Sequence, residues 1–290
     1  MCGIVGIINK GNIVTKKLIR KMTDTISHRG PDGEGHWIEK NIGIGHRRLS
    51  IIDLSHFAKQ PMQSLDERYV LSYNGELYNY DELKKTLKKF GYKFKSQSDT
   101  EVVLYSLIHW GQEALKKFNG MFALCLWDKK NREFFLARDR YGVKPLYYTL
   151  NDRFFAFSSE QKSMFQIDSF NKELNCSSLS EYFTFQNFFS DKTFLKNIHI
   201  LPAGHYARFS EKEFDLKVLQ YWDFNFQEPT KILKEKDYNK ELDFLFKNAV
   251  QRQLIGDVEL GTYLSGGIDS GSITALASQK INSIKSFTCG

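Results

Sequence analysis

A cysteine follows the initiator methionine, and its position is the feature of this sequence that most directly suggests covalent chemistry. Removal of Met1 would make Cys2 the first residue and would place its thiol beside its own α-amine, whose ordinary pKa is about 8. Such an amine can accept the proton of a neighbouring nucleophile. The residues alone leave open whether Cys2 is a nucleophile or an ordinary thiol near a chain end. They also do not show whether Met1 is removed.

Arg48 is the second residue that could take part in binding, because apolar residues surround it. It lies in the stretch GIGHRRLSIID at 43–53, which predicts a strand that runs into a loop. A buried guanidinium without a partner is energetically costly, so it requires either an acidic side chain or an anionic ligand. The sequence does not decide between an internal salt bridge and a ligand site for Arg48. The same choice stays open for the neighbouring Arg47.

Asn74 and Gly75 follow an alternating stretch, 69–73, which predicts a β-strand. Asn-Gly is a frequent hairpin turn, so a hairpin is the first expectation here. The alternative is that the glycine lets the Asn74 amide and its own N–H point at one oxyanion. Asp99 follows Ser98 at the predicted start of a helix, where the helix dipole would favour its charge without any ligand.

A glycine-rich loop, Ser265-Gly266-Gly267-Ile268-Asp269-Ser270, lies between a predicted strand at 258–264 and a predicted helix at 271–279. Its N–H groups, its two hydroxyls and the helix N-terminus can converge on an anion such as a phosphate. It is not a Walker A loop, because the lysine of that motif is absent. The pattern resembles the pyrophosphate loop of N-type ATP pyrophosphatases, and a simple strand-to-helix turn is the alternative.

The predicted secondary structure that must position these residues changes in type along the chain. Strands, then helices, then a second run of strands predict two antiparallel sheets with helices outside them. This unit is expected to end near residue 210, and a polar, basic linker follows over 211–236. The remainder, 237–290, contains a strand, a helix and a further strand, which predict the beginning of a parallel sheet.

The composition is that of a folded protein with two domains or one large domain. The 290 residues carry a formal charge of +7, and the densest basic run, 84–95, lies on a predicted helix face, which argues against nucleic-acid binding. Four cysteines without CxxC spacing predict neither a disulfide framework nor a zinc site. The apolar start is too short for a signal peptide or a membrane span, which predicts a cytoplasmic protein without membrane contact.

Eleven motifs, read in order, resemble one family, the glutamine-dependent asparagine synthetases, which are class II glutamine amidotransferases. The motifs are MCGI, HRGPDG, GHRRLSIID, QPM, YNGELYN, SDTE, NGMFA, ARDRYGVKPLYY, FSSE, LPAGH and SGGIDS. The resemblance implies an α+β N-terminal-nucleophile hydrolase fold, an α/β/β/α sandwich of two antiparallel sheets, followed by the start of an α/β ATP-pyrophosphatase domain with a parallel sheet. It implies a glutaminase domain at 2–210, a linker at 211–236 and an incomplete synthetase domain at 237–290.

The resemblance also implies roles for individual residues of the glutaminase domain. Cys2 would be the nucleophile, with its α-amine as the base. Asn74 and Gly75 would form the oxyanion hole. Arg48 would hold the α-carboxylate of glutamine, while Glu76 and Asp99 would hold its α-ammonium group. The residues implied to line the pocket are Leu49, Ser50, Ile51 and Ile52.

In the second domain, the resemblance implies that the glycine-rich loop holds ATP and that Asp269 lies near the magnesium ion bound to pyrophosphate. The residues implied to contact ATP are Leu264, Ser265, Gly266, Gly267 and Ser270. The segment 138–148 also matches a family motif, and we expect it to support the domain interface or an ammonia tunnel.

The implied reaction has two halves. Glutamine is hydrolysed to glutamate, and the ammonia passes through the protein to an aspartate whose side-chain carboxylate ATP has converted to an acyl-adenylate. The products are asparagine, AMP and pyrophosphate; Mg²⁺ accompanies ATP, and no prosthetic group is involved. The family's second domain is much longer than 237–290, so we expect this chain to be truncated and to hydrolyse glutamine without making asparagine. The alternative is amidation of another carboxylate, on a sugar, a lipid carrier or a peptide. Monomer and homodimer both stay open.

Overall fold

The computed structural model describes residues 1–228 and 232–289 of the chain. The chain divides into two compact units, Met1–Asp223 and Phe224–Gly290. Among the described residues, no helix is long and apolar enough to cross a membrane.

Two antiparallel sheets of six strands each form the core of the first unit, residues 1–223. In chain order the strands are β1 (Gly3–Asn9), β2 (Gly33–Glu39), β3 (Ile42–Arg48), β4 (Met62–Gln63), β5 (Tyr69–Leu77), β6 (Gly120–Asp128), β7 (Glu133–Arg138), β8 (Tyr147–Leu150), β9 (Phe154–Ser158), β10 (His199–Ile200), β11 (His205–Ser210) and β12 (Asp215–Gln220). The strand order is β10-β8-β9-β1-β3-β2 in the first sheet and β12-β11-β7-β6-β5-β4 in the second.

Helices cover the outer face of each sheet. Those of the first unit are α1 (Lys16–Asp24), α2 (Tyr80–Lys89), α3 (Asp99–Trp110), α4 (Ala114–Lys117) and α5 (Cys176–Phe185). Helix α1 packs on the first sheet, and α2 and α3 pack on the second. The side chain of Ser98 accepts a hydrogen bond from the N–H of Thr100, so Ser98 caps α3 and leaves the Asp99 carboxylate available for other contacts.

Strand β1 shows why the layers form, because its apolar side chains alternate between two environments. Ile4 and Ile8 are buried between the two sheets, while Val5 and Ile7 pack against Ile19 of α1 on the outer face. Successive side chains of a strand point to opposite faces, so a strand that is apolar throughout must be covered on both sides. The four layers confirm the predicted α/β/β/α sandwich of two antiparallel sheets.

Asn74 and Gly75 do not form the expected hairpin. They lie inside β5, where Asn74 is opposite Ala123 and Gly75 is opposite Phe122 of β6. The glycine serves close packing here: a Cβ on Gly75 would lie 2.5 Å from the carbonyl oxygen of Met121. The turn expectation was wrong because the pairing with β6 carries the strand on to Leu77, and a local dipeptide preference does not outweigh that ladder.

The first unit extends beyond the boundary expected at residue 210. Strand β12 lies inside the expected linker, 211–236, and pairs with β11 along its whole length. The N–H of Tyr221 also bonds to the carbonyl oxygen of Gly204 at 2.8 Å. The sequence of this segment predicted a linker because β12 is an exposed edge strand with a polar sequence. Residues 229–231 of the expected linker lie outside the described residues.

The second unit contains α6 (Glu235–Gln253), β13 (Gly261–Tyr263), α7 (Ile268–Ser278) and β14 (Lys285–Phe287). Strands β13 and β14 are parallel, which confirms the predicted small parallel sheet at the C-terminal end of the chain. The glycine-rich loop joins β13 to α7. Most of this unit's described residues are exposed, because two short strands and two helices enclose little apolar core.

Candidate functional site

One pocket in the first unit brings together most of the residues singled out in the glutaminase domain. It lies where the start of β1, the end of β5 and the start of α3 meet the loops after β3 and β7. Its lining is Met1, Cys2, Arg48, Leu49, Ile51, Ile52, Gln60, Tyr73, Asn74, Gly75, Glu76, Ser98, Asp99, Thr100 and Lys144. Ser50 is the expected lining residue that it lacks. The N–H of Ser50 bonds to Asp32 instead, and Ser50 lines an adjacent depression.

The Cys2 thiol lies at the entrance to β1, beside the first residue of the loop that follows β3. Its Sγ accepts a hydrogen bond from the N–H of Leu49 at 3.3 Å and lies 3.5 Å from the carbonyl oxygen of the same residue. Burial raises the pKa of the thiol, and the Leu49 N–H acts in the opposite direction. The thiol is therefore held in a defined position and is protonated at neutral pH.

The N-terminal amine, which in this structure is that of Met1 while the Cys2 nitrogen is in a peptide bond, lies in the same pocket, among charged groups. Burial lowers its pKa, and the positive charges of Lys144 and Arg29 lower it further, while Cys2 and Glu76 act in the opposite direction. Arg29 donates to the carbonyl oxygen of Cys2 at 3.0 Å and is paired with Glu160. The surroundings therefore favour a neutral amine beside the thiol.

Arg48 and Arg47 have different partners, which answers a question that the sequence left open. Arg47 pairs with Asp24 and Glu34 and so forms the internal salt bridge. The Arg48 guanidinium instead contacts carbonyl oxygens of the following loop, among them that of Asp53 at 2.5 Å. Among the described residues, Arg48 has no ion-pair partner. Its charge is therefore available to an anionic group in the pocket.

The edge of β5 presents unpaired donors to the pocket. Phe122, opposite Gly75, directs both its N–H and its carbonyl oxygen to Asp139, at 3.1 and 2.8 Å. In an antiparallel ladder, the N–H of Gly75 must then point away from β6, toward the pocket. On the same edge, Gln60 bonds both backbone groups of Tyr73, and Asp99 accepts from the N–H of Leu77. Along this edge, the N–H of Gly75 lies between the backbone groups of Tyr73 and the N–H of Leu77, which are all hydrogen-bonded.

The side chain of Asn74 supplies a second donor. It is 1 % exposed, and its Nδ2 has no hydrogen-bond partner among the described residues. A buried amide without a partner is unfavourable unless a ligand or a solvent molecule satisfies it. Asn74 and Gly75 therefore form a pair of donors at the edge of the pocket that contains Cys2.

Two carboxylates also line the pocket. Asp99 is 5 % exposed, and burial raises its pKa to about 6, against the opposing hydrogen bonds from Leu77 and Tyr73. Burial also raises the pKa of Glu76, and the charge of Lys144 opposes that rise. The pocket thus combines two carboxylates with a guanidinium that has no ion-pair partner in the described part of the chain, a set of groups that complements a zwitterion.

Gln60, Tyr73 and Lys144 also line this pocket, although sequence reasoning assigned them no role in it. Gln60 takes the place of a neighbouring strand by bonding both backbone groups of Tyr73. The Tyr73 hydroxyl donates to Asp99 at 3.2 Å. Lys144 lies in the loop after β7, far along the chain from the other residues. Its motif was recognised, but no local pattern indicates which site a loop lysine reaches.

The glycine-rich loop of the second unit, 264–270, precedes α7. Gly266 has a φ of +83°, and the hydroxyl of Ser270 donates to the carbonyl oxygen of Gly267 at 3.1 Å. The Ser265 and Ser270 hydroxyls lie 3.0 Å apart. A tight turn, two hydroxyls and a helix N-terminus without a side-chain cap among the described residues can accept an anionic group such as a phosphate. Asp269 lies in the first turn of α7. Among the described residues, no cluster of three or more His, Cys, Asp or Glu exists that could hold a metal ion alone.

The fold and the pocket together define a class. Two stacked antiparallel sheets with outer helices, and a cysteine thiol at the beginning of β1 facing donors on β5, are the features of an amidotransferase with an N-terminal-nucleophile hydrolase fold. A solved glutamine phosphoribosylpyrophosphate amidotransferase from B. subtilis has the same fold: it matches 99% of this chain and 65% of that chain with a TM-score of 0.58 at 16% identity.

The chain belongs to the asparagine synthetase-like glutamine amidotransferases. The family described as the glutamine amidotransferase domain matches residues 1–222, and the asparagine synthase family matches residues 241–290. Glutamine-hydrolyzing asparagine synthetases 1 and 3 of Bacillus subtilis (strain 168) are 36% and 38% identical over 296 and 282 residues. These matches cover 100% and 96% of this chain but 46% and 45% of those proteins. The amidase chry2 of Gibberella zeae is 36% identical over 267 residues, covering 89% of this chain and 38% of that protein. The chain thus spans about half the length of the curated relatives it matches.

Proposed function

We propose that the first unit hydrolyses the side-chain amide of glutamine at Cys2, releasing glutamate and ammonia. One observation carries this proposal: the Cys2 thiol shares a pocket with the Arg48 guanidinium, two carboxylates and two donors, the Gly75 N–H and the Asn74 Nδ2. Among the described residues, Arg48 has no ion-pair partner and Asn74 Nδ2 has no hydrogen-bond partner. Glutamine has an α-carboxylate, an α-ammonium group and a neutral side-chain amide, so each of its polar groups meets a complementary partner.

In this proposal, binding is the work of Arg48, Glu76 and Asp99. The guanidinium holds the α-carboxylate, and the carboxylates hold the α-ammonium group. Leu49, Ile51 and Ile52 exclude water around the methylene groups. Ser50, which lies outside this pocket, acts only by holding the loop through Asp32. A fixed amino-acid end directs the side-chain carbonyl carbon at Sγ.

The chemical steps then follow from the positions of the thiol and the donors. Once Met1 has been removed, the Cys2 thiol gives its proton to its own neutral α-amine as Sγ attacks the amide carbon. The oxyanion accepts hydrogen bonds from the Gly75 N–H and the Asn74 Nδ2. The amine returns the proton to the departing nitrogen, the C–N bond breaks, and ammonia leaves a thioester on Sγ. Water then attacks the thioester, and glutamate departs as the thiol is restored.

The second part of the proposal concerns the fate of the ammonia. We infer that, in the complete protein, ammonia attacks an aspartate side chain that ATP has activated as aspartyl-AMP, which yields asparagine, AMP and pyrophosphate. The loop 264–270 would hold the phosphates of ATP, and Asp269 would approach their Mg²⁺, which characteristically takes only one or two protein carboxylates beside phosphate oxygens. The two asparagine synthetases named above, similar along nearly all of this chain, support this acceptor.

A second candidate acceptor has an observation of its own. The amidase chry2, whose name does not specify asparagine synthesis, has the same 36% identity as asparagine synthetase 1, over 267 residues against 296. Identity at this level does not by itself select aspartate as the acceptor. The alternative is amidation of another carboxylate, on a sugar, a lipid carrier or a peptide, by the same glutaminase domain.

The glutaminase proposal is tested by glutamate release from glutamine, with Cys2→Ala compared against Cys176→Ala, which changes an exposed thiol. We expect Cys2→Ala to abolish turnover and Cys176→Ala to retain it. Intact mass, before and after treatment with a glutamine-like electrophile, should show loss of Met1 and one adduct on Cys2. Turnover that survives Cys2→Ala would show that the nucleophile is another group.

The ATP half is tested separately. The 290-residue chain should release glutamate without forming asparagine, while the complete protein should form asparagine from glutamine, ATP and aspartate. If the complete protein releases AMP and pyrophosphate only with a different carboxylate, the alternative acceptor is the correct one.

A further inference from the structure

Lys144 is the charged side chain of the pocket for which the proposed hydrolysis gives no role. It is 5 % exposed and lines the pocket together with Met1, Cys2 and Glu76. Among residues 1–228 and 232–289, its Nζ has no hydrogen-bond or ion-pair partner. Burying a lysine without a partner is unfavourable, which the lowered pKa of Lys144 also reflects. Because burying the Lys144 ammonium group is costly, this residue is a candidate for a functional role.

The loop that carries Lys144 is held by contacts that do not involve the lysine charge. The Asp139 carboxylate accepts hydrogen bonds from the N–H groups of Val143 at 2.9 Å and Lys144 at 3.0 Å. The Arg138 guanidinium donates to the carbonyl oxygens of Lys144 at 2.8 Å and Gly142 at 2.6 Å. The backbone of residue 144 is thus fixed from both sides, so substitution of its side chain should leave the loop in place.

The chain-end amine in this structure is that of Met1, and the charges that shift its pKa most are those of Cys2, Lys144, Arg29 and Glu76. Once Met1 is removed, the chain end is the α-amine of Cys2, which lines the same pocket as Lys144. Of the two cations, Arg29 is paired with Glu160 and bound to the Cys2 carbonyl oxygen, which offsets its charge. Lys144 forms no hydrogen bond or ion pair with the residues that the structure describes. Its charge acts on the chain-end amine, on Cys2 and on Glu76, whose carboxylate opposes the fall in the pKa of Lys144. The charge of Lys144 is therefore offset by a carboxylate in the pocket but not by a direct contact, unlike that of Arg29.

We propose that Lys144 supplies the positive charge that keeps the α-amine beside the Cys2 thiol in its neutral, proton-accepting form. The inference rests on the proposed glutaminase function and assigns to that site an additional positioning residue, which acts through the amine and touches no reacting atom. It also gives the loop 139–145 a role in the glutaminase pocket, where the sequence suggested a domain interface or a tunnel.

The physical reason is electrostatic repulsion in a site with little water. A protonated amine beside a buried ammonium group is disfavoured, so the amine releases its proton at a lower pH. The same charge favours a developing negative charge on Sγ as the thiol proton moves to the amine. Both effects lower the pH at which the amine can accept the proton of the Cys2 thiol. Neither effect remains when the charge of Lys144 is removed.

The test is the pH profile of kcat for glutamate release by Lys144→Met and Lys144→Arg, with exposed Lys85→Met as the matched control. At saturating glutamine, protonation of Glu76 or Asp99 no longer affects the measured rate through weaker substrate binding. We expect Lys144→Met to move the acid limb to higher pH by about one unit. At a pH one unit below the original acid limb, the rate of Lys144→Met should be lower than that of the unsubstituted protein by up to about tenfold. On the pH plateau, the two rates should agree within about twofold. Lys144→Arg and Lys85→Met should keep the original limb.

A second measurement needs no substrate. Alkylation of Cys2 by iodoacetamide, followed by mass spectrometry of the N-terminal peptide, reports the thiol in the empty site. Its pH dependence should shift in the same direction in Lys144→Met and should not shift in Lys144→Arg. If Lys144→Met does not fold, Lys144→Gln, with a polar side chain of similar length and no charge, replaces it in both measurements.

Three outcomes are distinguishable. Absence of glutamate release by the unsubstituted protein with Cys2 at its N-terminus contradicts the glutaminase proposal itself. Glutamate release with an unmoved acid limb in Lys144→Met contradicts the role of Lys144 alone. A uniform loss of rate at every pH, shared by Lys144→Arg, would indicate a packing role and would also overturn the inference.

Discussion

Asp99, in the first turn of α3, accepts a hydrogen bond of 3.0 Å from the N–H of Leu77 at the end of β5. The bond joins a helix start to the strand edge that carries Asn74 and Gly75. The same carboxylate lines the pocket, and burial raises its pKa to about 6. One side chain therefore positions the pocket edge and provides negative charge to the pocket.

Replacement of Asp99 by Asn should separate these two roles. The amide oxygen can still accept from Leu77, but it has no charge for an ammonium group. We expect KM for glutamine to rise by about 10-fold to 100-fold, in proportion to a lost charged hydrogen bond. Steady-state glutaminase kinetics measure this, with exposed Asp81→Asn as the control. An unchanged KM would place the α-ammonium group elsewhere.

Asp99→Asn should weaken glutamine binding, but it should not lower the thermal stability of the protein at pH 8. The pKa of Asp99 is raised from 3.8 to about 6, so the folded state holds this proton more tightly than the unfolded state. Stability from this group is therefore lost as pH rises from about 4 to about 6, up to about 3 kcal/mol. Asp99→Asn removes that loss, so its Tm at pH 8 should equal or exceed that of the unsubstituted protein. Thermal unfolding at pH 5 and pH 8 tests this; a lower Tm for Asp99→Asn at pH 8 would contradict it.

The raised pKa of Asp99 also predicts how substrate binding depends on pH. Below about pH 6 the carboxylate of the empty site takes up a proton. The α-ammonium group then loses one counter-charge, so kcat/KM for glutamine should fall below that pH more steeply than kcat does. The two pH profiles, measured together, show the difference. Asp99→Asn should remove this additional fall, whereas Asp81→Asn should retain it.

Arg48 and Arg47 offer a comparison between neighbouring residues. Arg48→Lys should raise KM for glutamine by roughly 10-fold to 100-fold with a smaller change in kcat, because lysine cannot bind a carboxylate in the two-pronged arginine geometry. Arg47→Lys should leave KM within about twofold, since Arg47 pairs with Asp24 and Glu34 outside the pocket. Equal effects of both substitutions on KM would argue against a substrate contact at Arg48.

Asn74→Ala tests the proposed oxyanion donors. Removal of one such donor typically lowers kcat by about 100-fold to 1,000-fold with little change in KM. The side chain has no hydrogen-bond partner at Nδ2 among the described residues, so its loss should not destabilise the fold. Single-turnover and steady-state kinetics, accompanied by thermal unfolding, measure both effects. A fall in Tm with an intact kcat would indicate a structural role.

Gly6→Ala tests the packing between the sheets. A Cβ on Gly6 would lie 2.1 Å from the ring of Phe157, a fully buried residue of the neighbouring strand. Overpacking of this kind typically lowers the free energy of unfolding by about 1–3 kcal/mol. Denaturant titration measures the change. Gly11→Ala is not a suitable control, because Gly11 has a φ of +82°; the exposed substitution Lys85→Met serves instead.

The layered fold could be predicted from the amino-acid sequence. Uninterrupted apolar strands such as 3–9 require cover on both faces, and alternation assigns each residue to a face without knowledge of the rest of the chain. Eleven ordered motifs also identified the family. The Asn-Gly turn was wrong because strand pairing with β6 is a non-local interaction, and a dipeptide preference carries no information about a partner some fifty residues away.

Which charged groups of the described residues find a partner could not be predicted from the sequence, because it depends on the assembled fold. Arg47 and Arg48 are neighbours of one type in the sequence, yet the fold gives salt bridges to the first and carbonyl oxygens to the second. Lys144 enters the pocket because Asp139 and Arg138 hold its loop beside Cys2. Burial, pairing and the resulting pKa depend on distances between segments far apart in the chain. Local sequence can name the chemical groups, but the assembled fold sets their charge and their access to a substrate.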